Sequence, residues 1–427
     1  MNAVSAAALP PAFKELLGDT LLPRPLFVAQ RELTAFSADL LAFFDLITSL
    51  PERLFGGDLD DYCAALRIAP RQARLLRRHG GGAPPRYARA DVYHDGTAFR
   101  LLEFNIASAL GGIDRAVEIP KALLKVDAFR AFATEHGLTY DDTGRHVAEA
   151  LSAAGRAVSS TSAPVVALLD GPGGMDRHGD FWRAFQELVC GFGLELHLGE
   201  IAEIRDLGGK LHLRGKSIDV IVRSFSVDQI CAEPDGESLV EPIFRAHERG
   251  TVVLWTPMES GLFGNKGCLA MLSDPANRTE FSAAELALID RILPWTRAVS
   301  GATDHGTMAD LMDRRGDLIL KPNARFGGAG IVAGWETDPD RWRESLTAAA
   351  EIGYVAQQRV RPRLEPVIDP ETGQVGQWEG VWGMFVTPAG YAGTFVRTLP
   401  AHESAVIGVG ANPATRTAGV FVYPSAD

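Results

Sequence analysis

Two polar side chains, Glu103 and Asn105, stand two residues apart in the otherwise apolar run 101–106. Because the side chains of a β-strand alternate between its two faces, the carboxylate and the amide share one face and apolar groups take the other. Mg²⁺ takes few protein oxygens and completes its shell with water and phosphate oxygens. The pair therefore predicts a metal site that bridges nucleotide phosphates. The alternative is an edge strand whose polar face meets water.

A second candidate site lies in the run 318–331, where an apolar strand delivers Lys321 and a turn containing Gly327 and Gly328 returns the chain into another strand. Closely approaching backbone N–H groups can hold phosphate oxygens while the lysine neutralises their charge. The run has neither the GK[S/T] sequence nor the following helix of a P-loop. A tight glycine-rich hairpin without a ligand is the alternative.

Two further segments carry polar groups that could reach a nucleotide. Lys266 precedes an apolar helix predicted over 267–272, and a cation at that end of a helix is unfavourable unless it has an anionic partner. A solvated lysine is the alternative. Gln357 and Gln358 end a β-run and could present hydrogen bonds to adenine, or could belong to a simple edge strand.

The elements that must position these residues fall into three regions. Residues 1–160 combine helical periodicity over 10–80, a β-hairpin (87–94 and 97–106) around Asp95-Gly96, and helices over 114–135 and 143–157. Residues 161–256 alternate strands with helical sequence, which predicts a parallel open sheet of Rossmann-like type. The predicted elements there are strands at 165–169, 194–198, 220–224 and 252–256, and a helix at 180–190.

The third region, 257–427, contains a helix over 283–292 that Ser282 and Glu285 would start with a capping box. Its other predicted elements are strands at 317–321, 331–335, 354–360, 378–387, 390–398 and 420–423, a helix at 339–351, and an Ala/Gly-rich stretch at 405–419. In the second region, the Gly-Pro-Gly-Gly at 171–174 lacks GxGxxG spacing, and Asp170 before it would repel phosphate. No dinucleotide loop is therefore predicted there.

Composition and charge exclude several classes of function. The chain has 427 residues, enough for about three domains, and a formal charge of −12, which argues against nucleic acid as a partner. Its four cysteines form no CxxC pair and fit neither a zinc ribbon nor a disulfide framework. We expect a cytoplasmic protein without a membrane partner, because the sequence shows no signal peptide and no apolar run near the ~20 residues of a membrane span.

Together these segments resemble the circularly permuted ATP-grasp ligases, the group of eukaryotic-type glutathione synthetase and glutathionylspermidine synthetase. The resemblance rests on motifs in a fixed order: Arg89-Ala90-Asp91, Glu103-x-Asn105-x-x-Ser108, Lys266, Lys321-Pro322 with Gly327-Gly328, and the stretches 379–383, 396–398 and 418–420. In common ATP-grasp enzymes the E-x-N strand comes near the end, whereas here it precedes both lysines. Two positions depart from the pattern. Asn323-Ala324-Arg325 has no carboxylate where an acidic metal ligand is frequent, and Leu399 stands where a basic residue is usual.

The resemblance implies an α/β (α+β) protein with an ATP-grasp fold in circularly permuted order. An inserted Rossmann-like substrate domain would occupy 161–256, between the helical segment with the metal-binding strands (1–160) and the nucleotide-binding lobe (257–427). It also implies an ATP-dependent carboxylate–amine ligase that uses Mg²⁺, passes through an acylphosphate and releases ADP and phosphate. The implied site residues are Glu103 and Asn105 for the metal; Lys266, Lys321, Asn323, Gly327, Gly328, Gln357, Gln358 and Glu379 for ATP; and Arg89, Asp91, Ser108, Arg223 and Arg397 for substrate, with Ser108 and Arg397 also catalytic.

Two other functions fit the same motifs. One is an ATP-dependent phosphotransferase that stops at a phosphorylated product, and the other is a degenerate ATP-grasp protein that binds nucleotide or a partner without turnover. The expected partners are a small carboxylic acid and an amine, such as an amino acid or peptide. A substrate tethered to a carrier protein and a dimeric assembly are both compatible with the sequence. For Arg397, a surface ion pair with Glu403 is the alternative to acid binding.

Overall fold

The structure is a computed structural model that describes residues 20–425, apart from 23, 81, 160, 162, 326 and 369–372. The part of the predicted 10–80 helical region before residue 20 lies outside the described residues. The described helices are α1 (Gln30–Thr48), α2 (Leu50–Phe55), α3 (Leu59–Ala65), α4 (Pro70–Leu76), α5 (Ile113–Leu124), α6 (Asp127–Glu135), α7 (Thr143–Arg156), α8 (Gly174–Cys190), α9 (Val227–Ala232), α10 (Gly236–Glu248), α11 (Ser260–Phe263), α12 (Gly267–Ser273), α13 (Ala283–Ile292), α14 (His305–Asp313) and α15 (Pro339–Ile352).

The described strands are β1 (Leu26–Ala29), β2 (Ala88–His94), β3 (Phe99–Asn105), β4 (Val165–Asp170), β5 (Glu195–Glu200), β6 (Ile204–Leu207), β7 (Lys210–Leu213), β8 (Lys216–Ser217), β9 (Val220–Arg223), β10 (Val253–Trp255), β11 (Thr296–Val299), β12 (Leu318–Pro322), β13 (Val332–Ala333), β14 (Tyr354–Gln358), β15 (Glu365–Ile368), β16 (Val375–Thr387), β17 (Gly390–Pro400) and β18 (Arg416–Tyr423). They form four sheets. The mixed α/β class is therefore confirmed, while the domain boundaries at 160/161 and 256/257 stay predictions.

The largest sheet has seven strands and joins both ends of the described chain. Its order is β1-β18-β17-β16-β2-β3, with β15 also paired to β16, and β1 runs parallel to β18. The hairpin predicted at Asp95-Gly96 is confirmed as β2 and β3. Oδ1 of Asp95 accepts hydrogen bonds from the backbone N–H groups of Thr97 and Ala98, which closes the turn.

Helix α1 covers one face of this sheet with the apolar side chains that its periodicity predicts. The ring centroids of Phe36 and Phe99 lie 5.0 Å apart, and those of Phe44 and Phe104 lie 6.0 Å apart. The stretch Gln30–Phe55 is long and apolar enough to cross a membrane, with a mean hydropathy of 1.5, so the expectation that no run approaches that length is wrong. More than half of its most apolar window is buried inside the protein, which accounts for that apolar character.

Two predicted helical segments are each divided. Within the predicted helical region 10–80, residues 58–79 contain two helices, α3 and α4, because Pro70 is tolerated only in the first turn of a helix and disfavours helical geometry at the residue before it. Ala69 is accordingly extended, with φ −62° and ψ 144°. The segment 114–135 forms α5 and α6, with Val126 extended between them.

The second region folds as predicted into a parallel sheet, with the order β10-β9-β4-β5. Helix α8 begins at Gly174, six residues before the predicted start. Its first turn is occupied by a carboxylate of the protein, since the backbone N–H groups of Gly173 and Met175 both donate to Glu200. This arrangement agrees with the expectation that 171–174 is not a phosphate loop. A small antiparallel sheet, β6-β7-β8, was not predicted.

The third region adds an antiparallel sheet with the order β11-β14-β12-β13. The predicted capping box at Ser282 and Glu285 is present at the start of α13. The strand predicted at 331–335 shrinks to β13, because residues 334–336 turn into a 3₁₀ helix. The last strand, β18, is longer than predicted and begins at Arg416. The remaining strands of this region join the seven-stranded sheet.

Candidate functional site

A cleft of about 860 Å³ lies where the seven-stranded sheet, the parallel sheet and the antiparallel sheet β11-β14-β12-β13 meet. A cleft of that size lies within the range of small-molecule binding sites in proteins. Most of the sequence-predicted site residues line it: Arg89, Asp91, Glu103, Asn105, Ser108, Arg223, Lys321, Gly327, Gly328, Gln357, Gln358, Glu379 and Arg397. Lys266 and Asn323 do not contribute to its lining.

The register of the β2–β3 hairpin brings four of these side chains together. Arg89 lies opposite Asn105 on the neighbouring strand, and Asp91 lies opposite Glu103. The guanidinium of Arg89 donates to both oxygens of Asp91, from Nε at 2.8 Å and from Nη2 at 3.0 Å, and its Nη1 donates to the carbonyl of Gly111. The two strands thus present a fixed group of charges to the cleft.

Arg397 on β17 completes this group from the other end of the chain. Its Nη2 donates to Oδ2 of Asp91 at 2.7 Å, and its buried Nε has no hydrogen-bond partner. Burial alone would raise the pKa of Asp91, but the guanidinium groups of Arg397 and Arg89 hold it well below its usual range. The ion-pair partner of Arg397 is therefore this buried carboxylate, so the alternative of a surface pair with Glu403 is wrong.

Glu103 and Asn105 show how a cation would be held. Glu103 forms an ion pair with Lys266, with 3.2 Å between Oε2 and Nζ, and Nζ also donates to the carbonyl of Arg325. Nδ2 of Asn105 lies 3.4 Å from Asp91 and 3.3 Å from Glu103, which leaves Oδ1 as its metal-binding atom. Among the described residues, no group of three His, Cys, Asp or Glu side chains is arranged around a metal position. The pair fits Mg²⁺ only when phosphate and water supply the other ligands.

Lys321 is the penultimate residue of β12, and its side chain is buried inside the protein. Its side chain is 6% exposed, and its Nζ donates to Oε1 of Gln357 at 2.7 Å and to the carbonyl of Leu102 at 3.2 Å. Burial lowers the pKa of Lys321 to about 8, against the attraction of Glu103. A lysine held this way is still mostly charged at neutral pH and is ready to pair with an anion.

Two predicted nucleotide contacts are placed differently from expectation. Gln357 uses its side-chain oxygen for Lys321 and donates from Nε2 to Thr296, so it positions the lysine instead of offering its amide to adenine. Asn323 is turned away from the cleft, with Nδ2 3.5 Å from the carbonyl of Leu66. The prediction of Asn323 as a nucleotide contact is therefore not supported by its position. Gln358 is exposed at the cleft.

Ser108 and Arg223 connect the cleft to the parallel sheet. The buried hydroxyl of Ser108 donates to the carbonyl of Arg223, so its proton is already committed to the backbone and its predicted catalytic role is not supported. Arg223 is 7% exposed and donates to the carbonyls of Thr256 and Phe225 and to the hydroxyl of Ser260. Burial lowers the pKa of Arg223 to about 10.

At the far end of the cleft, several polar and aromatic residues surround Glu379 and were not among the predicted site residues. The guanidinium of Arg359 lies 4.1 Å from the ring centre of Trp335, and Glu336 and Tyr93 line the same end. Burial raises the pKa of Glu379. Tyr93 could have been found by strand alternation, since it follows Arg89 and Asp91 on the same face of β2. The other residues have no local signal.

Two loops meet over the cleft. Gly328 has φ +82°, and a Cβ at its position would lie 2.5 Å from Cγ1 of Val406 in the loop 404–410. Only a glycine permits both that backbone conformation and that approach. Gly327 has a similar φ of +68° but open space around it, so the contact between the loops depends on Gly328.

The architecture around this cleft is a mixed α/β fold. The solved apo structure of a glutathione synthetase-like effector (GSS30) from Globodera pallida is similar to it, with a TM-score of 0.59 at 13% sequence identity, over 95% of this chain and 90% of that one. No protein-family model matches the chain, and no curated protein matches it.

Two other solved structures share less. A putative gamma-glutamylcysteine synthetase from Methylobacillus flagellatus KT has a TM-score of 0.47 at 16% identity, over 85% of this chain and 87% of that one. D-alanyl-alanine synthetase A from Vibrio cholerae O1 biovar eltor has a TM-score of 0.32 at 14% identity, over 61% and 74%. The likeness to GSS30 concerns the fold, so function must be argued from the cleft itself.

Proposed function

We propose that the protein is an ATP-dependent carboxylate–amine ligase of the circularly permuted ATP-grasp type. The observation that carries this proposal is the meeting of two buried lysines, Lys266 and Lys321, with the carboxylate of Glu103 beside the cleft. Buried ammonium groups are costly unless an anion compensates them, and a nucleotide triphosphate supplies several negative charges.

The side chains divide into groups with different tasks. Lys321 and Lys266 bind the phosphates, and the loops around Gly328 and Val406 cover them. Glu103 and Asn105 would hold Mg²⁺, which supplies positive charge against the phosphate oxygens during transfer. The oxygen ligands that these two residues offer match that ion's preference, and the shortage of further carboxylates matches a metal that binds together with phosphate.

The reaction needs positioning and charge stabilisation more than a protein nucleophile. An oxygen of the acid attacks the γ-phosphorus, the bond to the β-phosphate oxygen breaks, and ADP leaves. The amine then attacks the carbonyl carbon of the acylphosphate, loses a proton, and expels phosphate with the acyl oxygen. Arg397 and Arg89 orient the acid, since guanidinium groups match carboxylates with two hydrogen bonds.

An ADP-release assay with arrays of acids and amines, followed by mass spectrometry of the product, tests the proposal. We expect ADP release that requires both an acid and an amine, together with an amide product. Release that needs no amine and yields a phosphorylated compound would instead identify a phosphotransferase. Nucleotide binding without ADP release under any combination would identify a binding protein without turnover.

A further inference from the structure

The part of the cleft next to the parallel sheet has a charge excess that bears on its ligand. We call this part the acid end; it is defined by Arg89, Asp91, Ser108, Arg223, Ser224 and Arg397. It holds three guanidinium groups and one carboxylate, which is a net charge of +2 in a protein whose overall formal charge is −12. A charge excess of that kind selects ligands by their charge.

The one carboxylate of the acid end has no capacity left for a positively charged ligand. Both oxygens of Asp91 accept from Arg89, and Oδ2 also accepts from Arg397. Asp91 is 3% exposed. An ammonium group brought to it would have to displace a guanidinium from a short, charge-assisted contact, which leaves that guanidinium unpaired.

Arg223 contributes a charge that the described side chains do not neutralise by direct contact. Its hydrogen bonds run to two backbone carbonyls and one hydroxyl, all of them neutral acceptors. The buried carboxylate of Glu259 attracts this charge from beyond hydrogen-bond distance, but burial still lowers the pKa of Arg223, so an anion bound in the cleft would stabilise the guanidinium further.

The other acidic side chains that line the cleft are engaged or lie toward its far end. Glu103 is paired with Lys266 at 3.2 Å. Glu379 lies on β16 four residues from Gly383, the residue opposite Asp91, and two residues from Val381, the residue opposite Arg397. At the ~3.3 Å rise of a strand it is therefore roughly 13 Å from the first and roughly 7 Å from the second. Glu336 lies at that far end too, since the carboxylates of Glu336 and Glu379 both attract the guanidinium of Arg359 electrostatically.

We infer that the carboxylic acid bound at the acid end carries no ammonium group, so that the acid substrate is a desamino or N-acylated acid instead of a free α-amino acid. This inference rests on the proposed ligase function and specifies its substrate class. Each positive charge of the acid end attracts a carboxylate and repels an ammonium group, and the described residues there offer no free carboxylate to offset the repulsion.

Matched pairs of acids that differ only in the amino group test the inference. The full-length protein is first titrated by calorimetry with Mg²⁺ and the non-hydrolysable nucleotide adenylyl imidodiphosphate, and then with succinate against aspartate and with glutarate against glutamate. We expect each desamino acid to bind at least tenfold more tightly than its amino partner, a difference of about 1.4 kcal/mol. Equal or tighter binding of the amino acids would overturn the inference, and so would binding of neither member of both pairs.

A matched pair of variants locates the discrimination. Ser224 lines the acid end beside Arg223, so Ser224→Asp adds the missing carboxylate, while Ser224→Asn adds the same bulk without charge. We expect Ser224→Asp to reduce a tenfold preference for the desamino acid to about threefold or less, and Ser224→Asn to keep the tenfold preference. A preference that Ser224→Asp leaves untouched would overturn the assignment of the acid to this end.

The same titrations separate failure of the inference from failure of the proposed function. The nucleotide analogue is measured before any acid is added. If it does not bind, the proposed ligase function fails. If it binds and the amino acids are preferred, the function stands and only the substrate class is wrong.

Discussion

The affinity of the protein for nucleotide should fall as the pH rises through 8, because of Lys321. This lysine is buried at the end of β12, and burial lowers its pKa from 10.5 to about 8. A phosphate binds the ammonium form and not the neutral amine. Binding therefore loses the contribution of Lys321 above pH 8, whereas an exposed lysine would keep its charge to about pH 10.

The size of the effect follows from the fraction of Lys321 that is protonated. With a pKa of about 8, that fraction is roughly nine-tenths at pH 7 and roughly one-tenth at pH 9. If only the ammonium form binds phosphate tightly, the affinity falls about tenfold over this range, which is about 1.4 kcal/mol. Nucleotide binding should also raise the pKa of Lys321, so that the protein takes up protons on binding at pH 8–9.

Calorimetry with Mg²⁺ and adenylyl imidodiphosphate at pH 7, 8 and 9 measures this dependence. Lys321→Met removes the charge at every pH, so we expect it to bind about 2–4 kcal/mol more weakly, with no drop between pH 7 and 9. Lys321→Arg keeps its charge throughout and is expected to bind with little change over the same range. A wild-type affinity that is independent of pH, together with unchanged binding by Lys321→Met, would refute the assignment of this lysine to the nucleotide.

Three further outcomes are expected. Glu103→Gln should abolish Mg²⁺-dependent turnover, as measured by an activity assay, and should also lower the unfolding midpoint in a denaturant titration, because it removes the carboxylate that is ion-paired with the buried Lys266. Arg397→Lys should raise KM for the acid about tenfold and leave KM for ATP unchanged; a shift confined to ATP would assign Arg397 to the nucleotide. Gly328→Ala should weaken nucleotide binding more than Gly327→Ala, because both have positive φ but only Gly328 would meet Val406; equal effects would show that the contact between the loops is unimportant.

Features that depend on neighbours in sequence could be predicted. The hairpin at Asp95-Gly96 and the capping box at Ser282 each rest on side chains that bond the backbone two or three residues away. The face shared by Glu103 and Asn105 follows from alternation alone. These parts of the fold and of the site needed no knowledge of tertiary structure.

Features that depend on distant partners could not be predicted. Arg397 and Asp91 are 306 residues apart, and no local pattern relates them. The sequence predicts Gln357 as a hydrogen-bond donor to a ligand. In the structure its side-chain oxygen accepts a hydrogen bond from Lys321 on a neighbouring strand. The prediction of Asn323 as a nucleotide contact rests on a motif position, whereas the direction of its side chain is set by its contact with the carbonyl of Leu66.

The pairing of an N-terminal strand with a C-terminal strand has a consequence for synthesis of the chain. Strand β2 pairs with β16, which begins about 270 residues after β3 ends. At 5–20 residues per second, the hairpin and the apolar face of α1 wait roughly 15–55 seconds for their partners. The parallel sheet, made within residues 165–255, has no such delay. During that interval the N-terminal strands expose an open edge that can pair with other chains. Association of chains at the edge of β2 should therefore compete with folding until β16 has been made.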